Sequence, residues 1–156
     1  MMQRSNVEIS VAEKDDISAI AELEKMCFSS PWSEKAVLDT MSGENSLFLV
    51  AKAEGKICGY IGSYSALDEG YITNVAVNPD FRRRGVGKAL VGELIRQGKE
   101  KGLSFLTLEV RESNEGAIAL YSDLGFENVG KRPRFYSNPT EAAYLMTYYM
   151  GKEREN

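Results

Sequence analysis

The chain has 156 residues, 43% hydrophobic and 27% charged, with a formal net charge of -4. At this length one core buries roughly 70% of the unfolded surface without metal or disulfide support, and the acidic balance disfavours a polyanionic partner. No histidine is present, which excludes Ser-His-Asp and Cys-His nucleophilic schemes, the usual zinc sites and the default physiological base, and leaves acid-base chemistry to carboxylates, tyrosines, lysines or water.

Residues 1–6 lack the apolar run of a secretory leader, and no stretch reaches membrane-spanning length, so a cytoplasmic protein with no membrane partner is expected. Residues 7–11 alternate as a strand, and Asp15 or Asp16 caps a helix that carries Ile17, Ile20, Ala21 and Leu23 to about Cys27. Cys27 and Cys58 stand apart in sequence and read as small apolar core residues in a reducing compartment. Pro31 breaks the chain, and Ser33 caps a short helix over 34–41. Strands at 47–53 and 57–65 are joined by Glu54-Gly55-Lys56, and a third at 71–77 follows a turn over 67–70. Such neighbours with tight connections form an antiparallel meander. A helix over 86–101 buries Val86, Leu90, Val91, Leu94 and Ile95, and Gly102 ends it. The strand at 105–110 lies parallel to 71–77, because a strand-helix-strand crossover joins them. A helix over 114–124, capped at Ser113 or Asn114, leads into a strand from Gly125-Phe126 and a last strand at 144–150. The reading is one mixed α/β domain over 1–150, in the order β-α-α-β-β-β-α-β-α-β-β, with a charged tail at 151–156 expected to fray.

The segment Val75-Ala76-Val77-Asn78-Pro79-Asp80-Phe81-Arg82-Arg83-Arg84-Gly85-Val86-Gly87-Lys88 is a strand end, a turn and a glycine-laced opening to a helix. Gly85 and Gly87 keep side chains off the backbone, so amides of the first turn face an anion, and Arg83, Arg84 and Lys88 add charge to the positive end of the helix dipole. A Walker loop is excluded because Arg82 stands at its first glycine and Ala89 follows the lysine. A dinucleotide fingerprint fails at Leu90, where a third glycine is required. Glu109 shares a strand face with Phe105 and Thr107, opposite Leu106, Leu108 and Val110, at the carboxyl end of a parallel strand where α/β sheets place ligands. A solvated edge glutamate is the bland alternative. Tyr121 shares a helix face with Ala117 and Leu124, the usual setting of a core tyrosine, and Asn114 needs no role beyond its cap.

The spelling Arg82-Arg83-Arg84-Gly85-Val86-Gly87 after an apolar strand resembles the acetyl-CoA loop of the GNAT superfamily of N-acetyltransferases, and the element order matches their fold over nearly the whole chain. Phe28-Ser29-Ser30-Pro31-Trp32-Ser33, Leu67-Asp68-Glu69, Leu108-Glu109-Val110-Arg111-Glu112-Ser113-Asn114, Ala119-Leu120-Tyr121 and Leu124-Gly125-Phe126 resemble the RimI-type acetylases of ribosomal-protein N-termini within that superfamily. One departure lies at Ala142, where those proteins often carry an acid.

The resemblance implies acetyl-CoA as cosubstrate without a metal, Glu109 as base directly or through water, Tyr121 as the acid that protonates the leaving thiolate, and Asn114 against the cofactor. It further implies that Val75, Ala76 and Val77 splay from the next strand and hold the pantetheine arm with free backbone groups, while the amides and charges of Arg83, Arg84, Gly85, Val86, Gly87 and Lys88 hold the phosphates. Trp32, Asp68, Glu69, Tyr136 and Glu141, with Phe135, fall in loops that those proteins use around the acceptor. The implied acceptor is a protein N-terminus, in that subgroup an N-terminal alanine of a small-subunit ribosomal protein. Amine basicity points the same way: at pH 7 neutralising an α-amine costs roughly 1 kcal/mol and a lysine roughly 4.6. A lysine or small-amine acceptor is the rival among enzymes. A phosphate- or nucleic-acid-binding module built on Arg82, Arg83 and Arg84 is the rival outside them.

Overall fold

The structure, a computed structural model, describes residues 7–151. Residues 1–6, and 152–156 of the tail expected at 151–156, lie outside the described residues; Gly151, counted in that tail, is buried. In chain order the elements are β1 (Glu8–Val11), a 3-10 turn (Lys14–Asp16), α1 (Ile17–Cys27), α2 (Glu34–Met41), β2 (Ser46–Ala53), β3 (Lys56–Ala66), β4 (Glu69–Val77), a 3-10 turn (Pro79–Phe81), α3 (Val86–Glu100), β5 (Phe105–Arg111), α4 (Glu115–Leu124), β6 (Glu127–Tyr136) and β7 (Glu141–Tyr149). This is the order expected from the sequence, with two short turns added.

The ends differ where pairing outweighs local signals. β4 takes in Glu69 and Gly70 because they pair with Ala66 and Ser65, which tightens the hairpin to Leu67-Asp68 and leaves Leu67 at φ 56 and 97% exposed. β7 begins at Glu141, opposite Tyr136, rather than at 144. Asp16 accepts from the Glu13 amide at 2.8 Å and so closes the 3-10 turn instead of capping α1. The other caps form as expected. Ser33 Oγ accepts from the Ala36 amide at 3.1 Å, and Asn114 Oδ1 from the Ala117 amide at 3.1 Å. At the end of α4, Gly125 at φ 108 lets its amide reach the Ser122 carbonyl and the Phe126 amide reach the Tyr121 carbonyl, the six-to-one closure a left-handed glycine permits.

Seven strands form one sheet in the order β1-β2-β3-β4-β5-β7-β6, antiparallel at every junction except β4–β5. The middle stretches of β2 and β3 are buried on both faces. Leu49, Ala51, Ile61, Leu106, Leu108 and Val110 pack with α3 through Val86, Leu90, Val91 and Leu94, joined by Tyr121 of α4. Phe48, Val50, Tyr60 and Ala76 pack with α1 and α2 through Ile20, Leu23 and Val37. Cys58 is buried in the first core, whereas Cys27, expected inside, is half-buried at the rim of a cleft.

The parallel junction positions the site. β4 and β5 pair only at Glu69–Phe105, Gly70–Leu106 and Tyr71–Thr107. Beyond those three pairs the strands part, although β4 stays paired with β3 as far as Val77 and β5 with β7 as far as Arg111. On the side facing β5, residues 72–77 of β4 carry backbone groups with no strand partner among the described residues. A register shift against β3 at Gly62/Ser63 sits at the start of the divergence.

Candidate active site

A cleft of about 630 Å³ opens where β4 and β5 part. One wall is β4 at residues 71–75, and the other is β5 with Thr107, Glu109, Val110 and Arg111. Asn114, Ala117 and Tyr121 of the α4 region close one end, Phe28, Ser29, Ser30 and Trp32 come from the α1–α2 connection, and Phe135, Tyr136 and Ser137 from the end of β6 and the turn after it. The last two segments touch, with Asn138 Nδ2 at 3.5 Å from Ser30 Oγ.

Glu109 points into the cleft because the alternation of β5 turns Leu106, Leu108 and Val110 into the core and the odd residues away from it. Its Oε2 lies 3.5 Å from Arg132 Nε, with the Glu109 side chain 30% exposed. Tyr136 stands close enough to feel that charge. Burial first and Glu109 second push its phenol up to about 12, against the opposing pull of Arg111, whose guanidinium lies 4.5 Å from the ring centre. Tyr121 is 7% exposed and packs on Phe126 with ring centres 5.6 Å apart. Burial pushes its phenol well above the ordinary tyrosine value, so it stays protonated throughout the physiological range.

Outside the cleft lining, Gly85 precedes α3 in the left-handed region at φ 81, and a Cβ there would meet nothing within 4 Å. The first backbone bond of the helix runs from the Ala89 amide to the Gly85 carbonyl at 3.0 Å, which leaves the amides of Val86, Gly87 and Lys88 ahead of the ladder. Arg83 and Lys88 are exposed, while Arg84 lies over the Phe81 ring at 5.1 Å. Gly87 serves packing: a Cβ there would meet Leu120 Cδ2 at 3.3 Å and Val77 Cγ2 at 3.7 Å, inside the protein rather than in open space. Ala76 is buried and Val77 half-buried, so only backbone on the open edge of β4 is available to a ligand there. An open strand edge, free amides and an unobstructed glycine suit a phosphorylated, amide-bearing arm.

The acids expected around the acceptor lie outside the cleft lining. Asp68 accepts from Ser104 Oγ at 2.5 Å and Glu69 from the Tyr71 hydroxyl at 2.7 Å, both at the β3–β4 turn. Glu141 receives the Ser113 amide at 2.6 Å and Arg111 Nη1 at 3.1 Å, bonds that hold its carboxyl below the usual range and tie β7 to the β5–α4 connection. Trp32 and Tyr136 do line the cleft, with Phe135 beside them.

Several residues of the cleft wall escaped the sequence reading, Glu24, Asn74 and Thr73 among them. The signal for Glu24 was a carboxylate at the fourth position of the stripe Ile17, Ile20, Ala21, Glu24, where α1 is otherwise apolar. Thr73 Oγ1 is buried without a hydrogen-bond partner, at the register shift of β4, and no pattern of side chains announces such a shift. Arg82, noted only as part of the loop spelling, reaches the Val77 carbonyl at 3.3 Å and Cys27 Sγ at 3.4 Å.

Residues 17–126 match the model of the acetyltransferase (GNAT) family. The chain belongs to that family. It is 38% identical over 128 residues to the ribosomal protein bS18-alanine N-acetyltransferase of Escherichia coli, covering 82% of this chain and 86% of the relative. It is 37% identical over 145 residues to the protein of the same name from Haemophilus influenzae, covering 91% and 98%. The crystal structure of the Escherichia coli ribosomal-protein-S18-alanine N-acetyltransferase superposes with a TM-score of 0.86 at 36% identity, over 92% of this chain and 93% of that one. The GNAT membership matches the resemblance carried by the loop and strand motifs. No helix among the described residues is long and apolar enough to cross a membrane.

Proposed function

We propose that this chain transfers the acetyl group of acetyl-CoA to the α-amine of a protein N-terminus, an N-terminal alanine of a ribosomal protein such as its relatives are named for. The observation that carries the reading is a carboxylate and a protonated phenol in one cleft of a histidine-free chain: Glu109 and Tyr121 both line the opening between β4 and β5. When bound, acetyl-CoA supplies an acetyl group activated as a thioester. The free amides of Val86, Gly87 and Lys88, with Arg83, Arg84 and Lys88 side chains, hold its phosphates, and the open edge of β4 at Val75, Ala76 and Val77 receives the amide-bearing arm. Asn114 lines the cleft beside Ala117 and Tyr121.

Glu109 accepts a proton from the amine as its nitrogen bonds to the acetyl carbon. Tyr121 delivers its phenolic proton to the sulfur as the carbon–sulfur bond breaks, so one proton enters the site on the amine and one leaves on the thiol. Burial keeps the phenol protonated at neutral pH but also makes it a weaker acid than a thiol of ordinary acidity, about 8.5, so its proton moves in concert with carbon–sulfur cleavage and is restored from the proton taken up by Glu109. A carboxylate base suits an α-amine better than a lysine, since it faces roughly 1 rather than roughly 4.6 kcal/mol of deprotonation at pH 7. Trp32 and Tyr136 flank the acceptor. Asp68, Glu69 and Glu141 favour a basic segment downstream of it through their field, not by contact.

The test is fragmentation mass spectrometry on one peptide with a free N-terminal alanine and an internal lysine, incubated with acetyl-CoA. Acetylation mainly at the α-amine is expected. Acetylation mainly at lysine overturns the N-terminal assignment and leaves acetyl transfer standing.

A further inference from the structure

The mechanism leaves one buried ionisable group in the cleft wall unused. Glu24 is 1% exposed, although it lies on a helix whose neighbouring Glu22 and Lys25 face water. Its Oε1 accepts from the Trp32 backbone amide at 2.9 Å. Its Oε2 accepts from Asn74 Nδ2 at 2.7 Å and from the Tyr60 hydroxyl, and Asn74 Nδ2 also reaches the Tyr60 oxygen at 3.3 Å. All three donors are neutral. Burial, followed by the Glu24 charge, drives the Tyr60 phenol far above its ordinary value.

A buried carboxylate is a poor device for stability alone, because desolvation cancels much of what its bonds return. Its bonds do have a geometric consequence: they join three separate segments at one point. Trp32 belongs to the α1–α2 connection, Tyr60 to β3, and Asn74 to β4 next to Val75. Glu24, Trp32 and Asn74 all line the cleft. The α1–α2 connection has its own cap on α2 and packs Phe28 and Trp32 on the core that includes Ala76 of β4, while Cys27 Sγ at the end of α1 donates to the Val77 carbonyl at 3.4 Å; the Glu24 carboxylate adds the polar tie from the Trp32 backbone to Asn74 on the acceptor side of the cleft.

We propose that Glu24 is a positioning residue for the acceptor: it ties the Trp32 segment to β4 and holds that wall of the cleft at the separation an N-terminal residue needs. The inference rests on the N-terminal acetyltransferase reading for its kinetic consequence, though not for its structural one. Glu24→Gln keeps the size of the side chain but loses the charge and presents an amide NH₂ to groups that are themselves donors.

Two readouts test it in the full chain. With an alanine-initiated peptide, Glu24→Gln is expected to raise the acceptor KM by about tenfold or more, the scale of a lost charged hydrogen bond, with kcat and the acetyl-CoA KM little changed. Trp32 is the one tryptophan of the chain, so its fluorescence reports this wall directly. Acrylamide quenching of Trp32 is expected to rise in Glu24→Gln, with the far-ultraviolet circular dichroism unchanged.

Unmoved quenching and unmoved acceptor KM in a folded variant overturn the proposal, as do equal losses in both KM values and kcat. If wild-type protein leaves the peptide unmodified, the functional reading fails, and quenching alone decides the positioning role. If Glu24→Gln does not fold, Tyr60→Phe removes one donor to the carboxylate while keeping the ring, and the same two readouts must move in the same direction.

Discussion

Replacing the Glu109 carboxylate by an amide keeps its shape and its reach to Arg132 yet removes the capacity to take a proton. Glu109→Gln should therefore lower kcat by on the order of 10²-fold or more while acetyl-CoA affinity by calorimetry stays nearly intact. Full turnover at neutral pH in that variant would assign the base elsewhere. Tyr121 is expected to show its role through pH as well as rate. The folded protein favours its protonated form, so the stability drawn from a neutral buried phenol is whole below the ordinary value of about 10 and is lost only as pH rises through the still higher folded value. Tyr121→Phe should thus slow turnover without moving any alkaline limb of the rate profile below about pH 10. A limb that disappears in the variant would mean that Tyr121 titrates lower than its burial dictates. Glu109 was legible because strand alternation and the parallel crossover together place its side chain. Glu24 was not, because a charged residue on an amphipathic helix ordinarily faces water, and only the tertiary donors Trp32, Tyr60 and Asn74 turn it inward.

The turn into α3 shows what a single element contributes to both fold and ligand. Gly85 holds φ 81 with nothing within 4 Å of the place a Cβ would take, so strain and not a clash governs substitution there. Gly85→Ala should cost about 1–2 kcal/mol of stability by denaturant titration and weaken acetyl-CoA binding, whereas Gly85→Asn should recover part of the stability, because asparagine tolerates the left-handed region. A fully stable alanine variant would show that the turn relaxes to another geometry. Gly87 is different. A Cβ there would meet the Leu120 methyl at 3.3 Å, so a larger residue would first press on that α4 side chain. The turn into α3 was legible from its glycines, but the different surroundings of Gly85 and Gly87 were not, since they depend on the direction each Cβ would take. Element identities were legible throughout from apolar period and caps such as Ser33 and Asn114. Their ends at Glu69 and Glu141 were not, because cross-strand partners set them.

For the molecule as a whole, the seam between β4 and β5 divides the sheet into two parts joined by three register pairs and by the core beneath α3. The crossover rule made the parallel junction legible. Its early divergence was not, because the backbone edge of residues 72–77 carries no mark in the side-chain alternation. The same divergence explains why the chain has a cleft of ligand size in the middle of a sheet that is continuous elsewhere. A bound arm that adds to the open edge of β4 would complete the missing pairing and link the two parts. Hydrogen exchange tests this at the backbone itself. Without ligand, the amides of residues 72–77 that face away from β3 should exchange faster than their neighbours that pair with it. Saturating acetyl-CoA should slow those amides selectively and raise the unfolding free energy by about 2.7 kcal/mol at a hundredfold excess over Kd. Slowing confined to α3, with the edge of β4 unchanged, would show that the cofactor is held by its phosphates alone and that the parted strands serve some other ligand.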